Sequence, residues 1–379
     1  MDLQQVRRAF PHTKELIYMN HAAVSPMSKP AMDAIHAFLQ ERHLTNIENY
    51  FDFLPVVDEA RELAAKLLGT HHDQVAFVSN TSYGLNILAQ GLTWNKGDRI
   101  LIPGCEFPAN VYPFMKLEKQ GVKVDFITHK EGTFSLEDIE AAITPETRLL
   151  SISWVQFLSG FKADLKAIGD LCKSHDILFC VDAIQGLGAL EIDVEACGID
   201  FLASGGHKWL MAMQGIGLVY VAKPLLEQLS PFAGWLHGPI DWEHLIDYKL
   251  SFFDDARRFD LGTQNAVGIA ALRAALSLYL EATPAWCEQQ VLTNAGILRD
   301  GIKALGGTIY GDSPEHHHSG IVALKHKEAN SLFESLKERR IHVAVRNGLL
   351  RIAPTYYNSA EEIDTVLDVL EKLLGEYPV

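Results

Sequence analysis

The sequence predicts an α/β fold on a mainly parallel sheet, followed by a smaller α+β unit. Three observations predict it. Short apolar runs alternate with helical segments from about residue 55 to residue 221. Those runs are nearly all apolar, as in strands covered on both faces, and not on alternate positions only. After about Leu261 the alternation gives way to long helices and a few separate strands. At 379 residues the chain is also too long for one small core.

The elements follow in order. PVVDEARELAAKLLG has apolar residues at helical spacing and closes on Gly69 as a C-terminal cap, after which QVAFVSN reads as a strand. TSYGLNILAQGL is a helix, DRILIPG a strand, NVYPFMKLEKQG a helix, VKVDFIT a strand, and SLEDIEAAI a helix opened by Ser135. TRLLSISWVQ, LKAIGDLCKSHD and ILFCVDA continue the series, and DFLASGGHKWLMAMQGIGLVYV holds two apolar runs around paired glycines. Helices are then expected from Ala266 to about Leu280 and from Glu288 to about Leu305. GIVALKH follows as strand, EANSLFESLKERR as helix and HVAVRNGLLRIAP as strand or hairpin, and Ser359 with Glu362 forms a capping box for the last helix. The large unit is placed at residues 16–262 and the small one at 1–15 with 263–379. No repeat or low-complexity linker separates them, so tight packing between the two is expected.

Composition excludes several classes. A formal net charge of -15 opposes any general affinity for nucleic acid or anionic membrane. Cys105, Cys172, Cys180, Cys197 and Cys287 show neither C-x-x-C pairing nor regular spacing, against a zinc site or disulfide framework and in favour of a reducing, cytoplasmic setting. The start MDLQQVRRAF has no apolar signal core, and no run reaches the length of a membrane span, so a chain neither exported nor embedded is expected. The internal EHHHSG is expected to be solvated and not metal-binding.

In parallel sheets ligands sit outside the carboxyl ends of the strands, and there this sequence is polar. After VAFV comes SNTSYG, small hydroxyl residues opening a helix, a setting that holds phosphate and also serves as an ordinary N-cap. After ILIPG, Phe107 offers an aromatic face, or simple packing. Asp182 ends the run ILFCVD, and Lys208 follows 26 residues later between two apolar runs. An unpaired buried ammonium is costly, so Lys208 needs solvent or a reaction partner. An amine, an acid and a phosphate-binding helix start together meet the needs of pyridoxal 5'-phosphate, with Lys208 forming the Schiff base.

The motifs IYMNHAAVSPM, FVSNTSYGLN, EFPANVYPF, VDAIQGLG, GGHKWL, RRFDLGTQN and LRIAPTYYN, in that order, resemble the class V aminotransferase family of fold-type I pyridoxal-phosphate enzymes. That group includes cysteine desulfurases, kynureninases and isopenicillin-N-epimerase-like proteins. The resemblance implies a large domain with a mainly parallel seven-stranded sheet flanked by helices, and a smaller α+β C-terminal domain. It implies that Lys208 carries the cofactor, that Asp182 pairs with the ring nitrogen and that Gln185 contacts the ring hydroxyl. Phe107 takes the ring-stacking place, and Thr81, Ser82, His207 and Ser204 are phosphate ligands, Ser204 with its register shifted by an extra glycine. Thr263 reaches the cofactor phosphate of a partner subunit, which implies a homodimer with shared active sites. Arg351 clamps the carboxylate of a small amino acid substrate, and Asn20 lies in the segment that lines the substrate pocket.

The departures bear on chemistry. Cysteine desulfurases carry a cysteine-bearing loop before the carboxylate-binding arginine, whereas VRNGLLRIAP runs from Arg346 to Arg351 without one. Phe107 replaces a ring-stacking histidine. Gln264 stands where relatives often have proline, without a readable role, and Arg257 and Arg258 are read as either a second carboxylate site or ion pairs with Asp254 or Asp255. Amino transfer is the leading expectation. A β-eliminating carbon-sulfur lyase, an epimerase of the isopenicillin-N type and a non-enzymatic protein that kept the fold are the alternatives.

Overall fold

A computed structural model of the chain describes residues 1–377, whose strands fall into three sheets. The strands are β1 (Ile17–Tyr18), β2 (Val75–Val78), β3 (Arg99–Pro103), β4 (Lys123–Ile127), β5 (Thr147–Ser153), β6 (Leu178–Asp182), β7 (Phe201–Gly205) and β8 (Gly217–Val221). Then come β9 (Thr308–Ile309), β10 (Val322–Lys325), β11 (Ile341–His342), β12 (Ala344–Arg346) and β13 (Leu349–Ile352). The large sheet has seven strands in the order β2-β8-β7-β6-β5-β3-β4. All neighbours are parallel except β8, which runs against both β7 and β2. The segment between β7 and β8 contains no crossover helix, so the chain simply turns back, a connection that only antiparallel neighbours allow.

This topology brings several strand ends to one edge. β2 and β7 both run against β8, and Val78 and Gly205 both lie opposite Gly217. Ser153 and Asp182 are paired at the same edge of β5 and β6. The helix Thr81–Gly91 follows β2 and lies directly on the sheet, because Gly84 has no side chain: a Cβ there would stand 2.7 Å from Val219 Cγ1 and 2.9 Å from the Ala203 Cβ. Close packing at Gly84 thus fixes where the helix begins.

The small sheet, β12-β13-β10-β9, is antiparallel, and β1 pairs in parallel with β11, tying the amino-terminal segment to the carboxyl-terminal unit. The last helix, Ala360–Glu376, carries the Ser359–Glu362 capping box read from the sequence. Two readings need correction. NVYPFMKLEKQG is not one helix but a short helix, Tyr112–Met115, between two 3-10 turns; Pro113 cannot donate its backbone nitrogen and Gly121 ends the run. The helix expected from Pro55 starts at Tyr50, with Pro55 inside its second turn. A helix at Lys29–Leu44 also forms, opened by Ser28 and Pro30. No single helix among the described residues is long and apolar enough to cross a membrane.

Candidate active site

Lys208 follows β7 through the turn at Gly205 and Gly206. The turn is tied by the Gly206 amide donating to the Ile216 carbonyl at 2.8 Å and by the Met211 amide donating to the Lys208 carbonyl at 2.9 Å. The side chain enters a cavity of about 370 Å³ at the carboxyl edge of the sheet. Asp182, Thr81, Ser82, Phe107, Gln185, His207 and Arg351 line the same cavity, so eight sequence-predicted residues converge, Lys208 included. Burial, the strongest influence, together with Arg351 and Arg346, lowers Lys208 to about 8 against the pull of Asp182. Burial raises Asp182 to about 6, opposed by the Ile184 amide donating to Oδ1 at 3.0 Å and by Lys208.

The cavity suits pyridoxal phosphate by its own unpaired atoms. Thr81 Oγ1 is buried without a partner. Asn80 caps the helix by accepting from the Tyr83 amide, and the Thr81 and Ser82 amides, at the helix start, have no intrahelical acceptor. Burial and the neighbouring Lys208 hold His207 below its ordinary value, hence neutral at pH 7 and able to donate from one ring nitrogen. Lys208 Nζ lies 5.8 Å from the centre of the Phe107 ring, so amine and ring face each other across the space. Phe107 is held edge-on by Phe157, with centroids 5.2 Å apart. Gln185 is fixed at both ends, donating to the Ala22 carbonyl at 2.9 Å and accepting from Trp209 Nε1 at 3.0 Å.

Arg351, buried in β13, lines the cavity from the small sheet. Its Nη1 donates to the Phe157 carbonyl at 2.8 Å, and its Nε is buried without a partner. Burial first and Arg346 second push its guanidinium down to about 10. Arg346 also lines the cavity, a placement that the sequence reading passed over, together with those of Phe157, Ile184, Ala22 and Ala23. A signal for Arg346 existed in Asn347–Gly348, the residue pair of a two-residue hairpin turn, which would have put positions 346 and 351 on one face.

Three predicted residues lie outside the cavity lining. Ser204 is fully buried within β7, its hydroxyl donating to the Gly205 carbonyl at 3.3 Å, because Gly205 and Gly206 carry the chain one residue further before it turns to His207. Asn20 bridges to Ala353, its Oδ1 buried and unpaired, while Ala22 and Ala23 supply the wall. Thr263 is exposed on its own chain. Arg257 pairs with Asp255 at 2.7 Å, and Arg258 donates to the Phe253 and Leu226 carbonyls, which makes both structural. In EHHHSG, His317 and His318 bond the Lys162 and Ser313 carbonyls, and no metal-type cluster of His, Cys, Asp and Glu occurs among the described residues.

The fold and this cavity define a pyridoxal-phosphate enzyme of fold type I. The chain belongs to the class V aminotransferase family, whose model, described as Aminotransferase class-V, matches residues 17–366; pyridoxal 5'-phosphate is its cofactor. A protein of Pyrococcus abyssi named "Probable cysteine desulfurase" is 30% identical, the match covering 98% of this chain and 97% of that one. An "Uncharacterized aminotransferase" of Bacillus subtilis is 29% identical, with 96% of each covered. The apo structure of a cysteine desulfurase from Thermococcus onnurineus superposes with a TM-score of 0.88 at 26% identity, covering 98% of both chains.

Proposed function

We propose that this enzyme transfers the amino group of a small amino acid, and that it does so as a homodimer. When bound, pyridoxal phosphate supplies an aldehyde that condenses with amines and a conjugated ring that draws electrons from the substrate's α carbon. Thr81, Ser82 and His207 would hold its phosphate, Asp182 its ring nitrogen and Phe107 its face. The substrate carboxylate goes to Arg351, whose guanidinium is braced on Phe157 and has a buried N–H to spare. Lys208, lowered to about 8, is a base of the right strength to take the α proton near neutral pH and to return it close by. Amino transfer needs no other proton carrier.

The observation that supports this reading over a persulfide-forming desulfurase is that, among the described residues, no thiol lines the cavity. β12 and β13 are joined by Asn347 and Gly348 alone, at φ 48° and 75°, so no cysteine-bearing loop intervenes. Cys105, just before the ring-stacking residue, lines a separate hollow with Tyr310, and burial pushes its thiol up to about 12, far from a nucleophilic thiolate. The test is a single turnover with a panel of amino acids: amino transfer releases one keto acid per site without ammonia, and then stalls until a second keto acid is added. β-Elimination is the second reading, favoured by relatives that carry the name cysteine desulfurase. Ammonia and pyruvate from L-cysteine, with sulfide, would establish it instead.

Dimerisation is supported by an arm around residues 232–250 that leaves Trp235, Trp242, Leu245, Ile246, Tyr248 and Leu250 largely exposed. An apolar surface of that kind calls for a partner. A second copy covering it is the arrangement in which an exposed Thr263 reaches a neighbour's cofactor site.

A further inference from the structure

The hairpin β12–β13 puts two arginines on one face. Arg346 lies opposite Leu349 and Ala344 opposite Arg351, so Arg346 and Arg351 are diagonal neighbours across the pair. Diagonal positions are about 7–8 Å apart, within reach of long side chains. The turn has only two residues, which leaves the register no freedom to slip. Both side chains line the cavity that holds Lys208. Most buried or half-buried arginines of this chain have an acidic partner, such as Arg61 with Asp260 at 2.8 Å or Arg99 with Asp125 at 2.7 Å. Buried Arg351 has none among the described residues, and exposed Arg346, whose Nη1 donates to the Val345 carbonyl at 2.8 Å, has none either, although the chain carries a net charge of -15.

Two uncompensated guanidinium groups at one cavity repel each other, and Arg346 is one of the causes that lower Arg351. A carboxylate on Arg351 offsets that guanidinium's charge and still leaves Arg346 without an acidic partner of its own. The phosphate-type end, at Thr81, Ser82 and His207, is formed by other elements, so a cofactor phosphate does not account for Arg346. Arg351 is buried and braced on Phe157, whereas Arg346 is exposed. The deeper arginine suits the invariant part of an amino acid and the outer one a group on its side chain.

We infer that Arg346 is a specificity-determining residue that binds a second acidic group, so that the preferred amino donor is an α-amino dicarboxylic acid. This rests on the proposed assignment of the α-carboxylate to Arg351. A hydrogen-bonded carboxylate on a partly exposed guanidinium is worth about tenfold in affinity. The test uses the loaded enzyme and compares L-aspartate with L-asparagine and L-glutamate with L-glutamine, acids against neutral isosteres of the same shape. The wild type should favour the acids in kcat/KM, and Arg346→Gln should lower the acid-to-amide ratio by about tenfold, through KM more than kcat. Calorimetry gives a readout independent of turnover: succinate should bind more tightly than butyrate, and Arg346→Gln should erase that difference. A wild type that favours the amides, or an Arg346→Gln variant that keeps both the acid-to-amide ratio and the succinate preference, overturns the inference. If instead no amino acid of either class changes the cofactor's visible band, the amino-transfer reading itself has failed, and the succinate comparison still decides the role of Arg346.

Discussion

The strongest demand that this structure makes on experiment concerns the acidity of Lys208. A free lysine titrates at 10.5, and here burial lowers the amine to about 8. At pH 7 about one molecule in ten then carries a neutral amine, against about one in three thousand for an ordinary lysine, a gain of about 300-fold in nucleophile and base. The assay is the initial rate at which cofactor-free enzyme takes up pyridoxal phosphate, followed by its visible band across pH 6 to 10 at fixed cofactor concentration. The rate should rise with pH and level off above an inflection near 8. Asp182 is the one neighbour that pulls Lys208 upward, so Asp182→Asn should move the inflection to lower pH even though it impairs later chemistry. Arg346→Gln removes a cation that pushes Lys208 down and should move it higher. An inflection near 10 in the wild type, or an upward shift in Asp182→Asn, would refute the electrostatic reasoning.

Four further outcomes are expected. Arg351→Ala should weaken amino acid substrates by about 2–5 kcal/mol through KM, as the loss of a buried charge partner does, measured by steady-state kinetics; an unaltered KM removes Arg351 from the site. L-cysteine turnover should leave no persulfide on Cys105 by mass spectrometry, and a +32 mass shift on that residue would reverse the assignment. Glu106, raised to about 7 chiefly by burial, is bonded by the Ser153 amide, the Ser153 hydroxyl and Gln156 Nε2. The folded chain keeps a proton that the unfolded one releases above about pH 4.5, so this stabilisation is present at low pH and lost as pH rises through about 7. Glu106→Gln should therefore gain on the wild type with rising pH, by about 1–2 kcal/mol at pH 8 given the residue's partial exposure, and a flat difference in melting curves would contradict it. Light scattering should give a dimer whose activity falls on dilution, and a fully active monomer would end the shared-site proposal.

The alternation of apolar runs and helices was legible because strands buried on both faces are nearly all apolar; β5 and β6 are covered along nearly their whole length. Strand-end placement did the rest: Asp182, Thr81, Phe107 and Lys208 each stand at or just past the end of an apolar run, and they meet in one cavity. The features that stayed hidden depend on tertiary contacts. The helix Lys29–Leu44 buries only Ala31 and Ile35 fully, so its sequence carries little apolar rhythm to detect. The segment around Pro113 has helical spacing and yet forms only one short α turn between 3-10 turns, closed by the left-handed Gly121. Asn20 looked like a pocket residue by motif, but its backbone bridges to Ala353 and turns the wall over to Ala22 and Ala23. Phe157, which braces both Phe107 and Arg351, lies beyond the end of β5, where no local pattern marks it.

One short turn links these site features. A desulfurase of the persulfide type needs a mobile segment long enough to bring a thiolate to the substrate sulfur, and any such segment between β12 and β13 would have to replace Asn347 and Gly348. Both residues adopt left-handed backbone, which glycine and asparagine accept more readily than other residues. The tight turn also keeps Ala344 opposite Arg351 and Arg346 opposite Leu349, the register that brings both guanidinium groups to the cavity. Lengthening the turn to admit a cysteine would free Arg346 from its position beside Arg351. The same two residues therefore withhold a thiol and present a second cation, and the chemistry best matched to that exchange is proton transfer at an acidic amino acid rather than sulfur transfer to the protein. Inserting a flexible four-residue segment after Asn347 tests the coupling directly: the acid-to-amide ratio should collapse as in Arg346→Gln while Arg351 still binds the α-carboxylate, and retention of the acid preference would show that Arg346 reads the substrate without the hairpin's help.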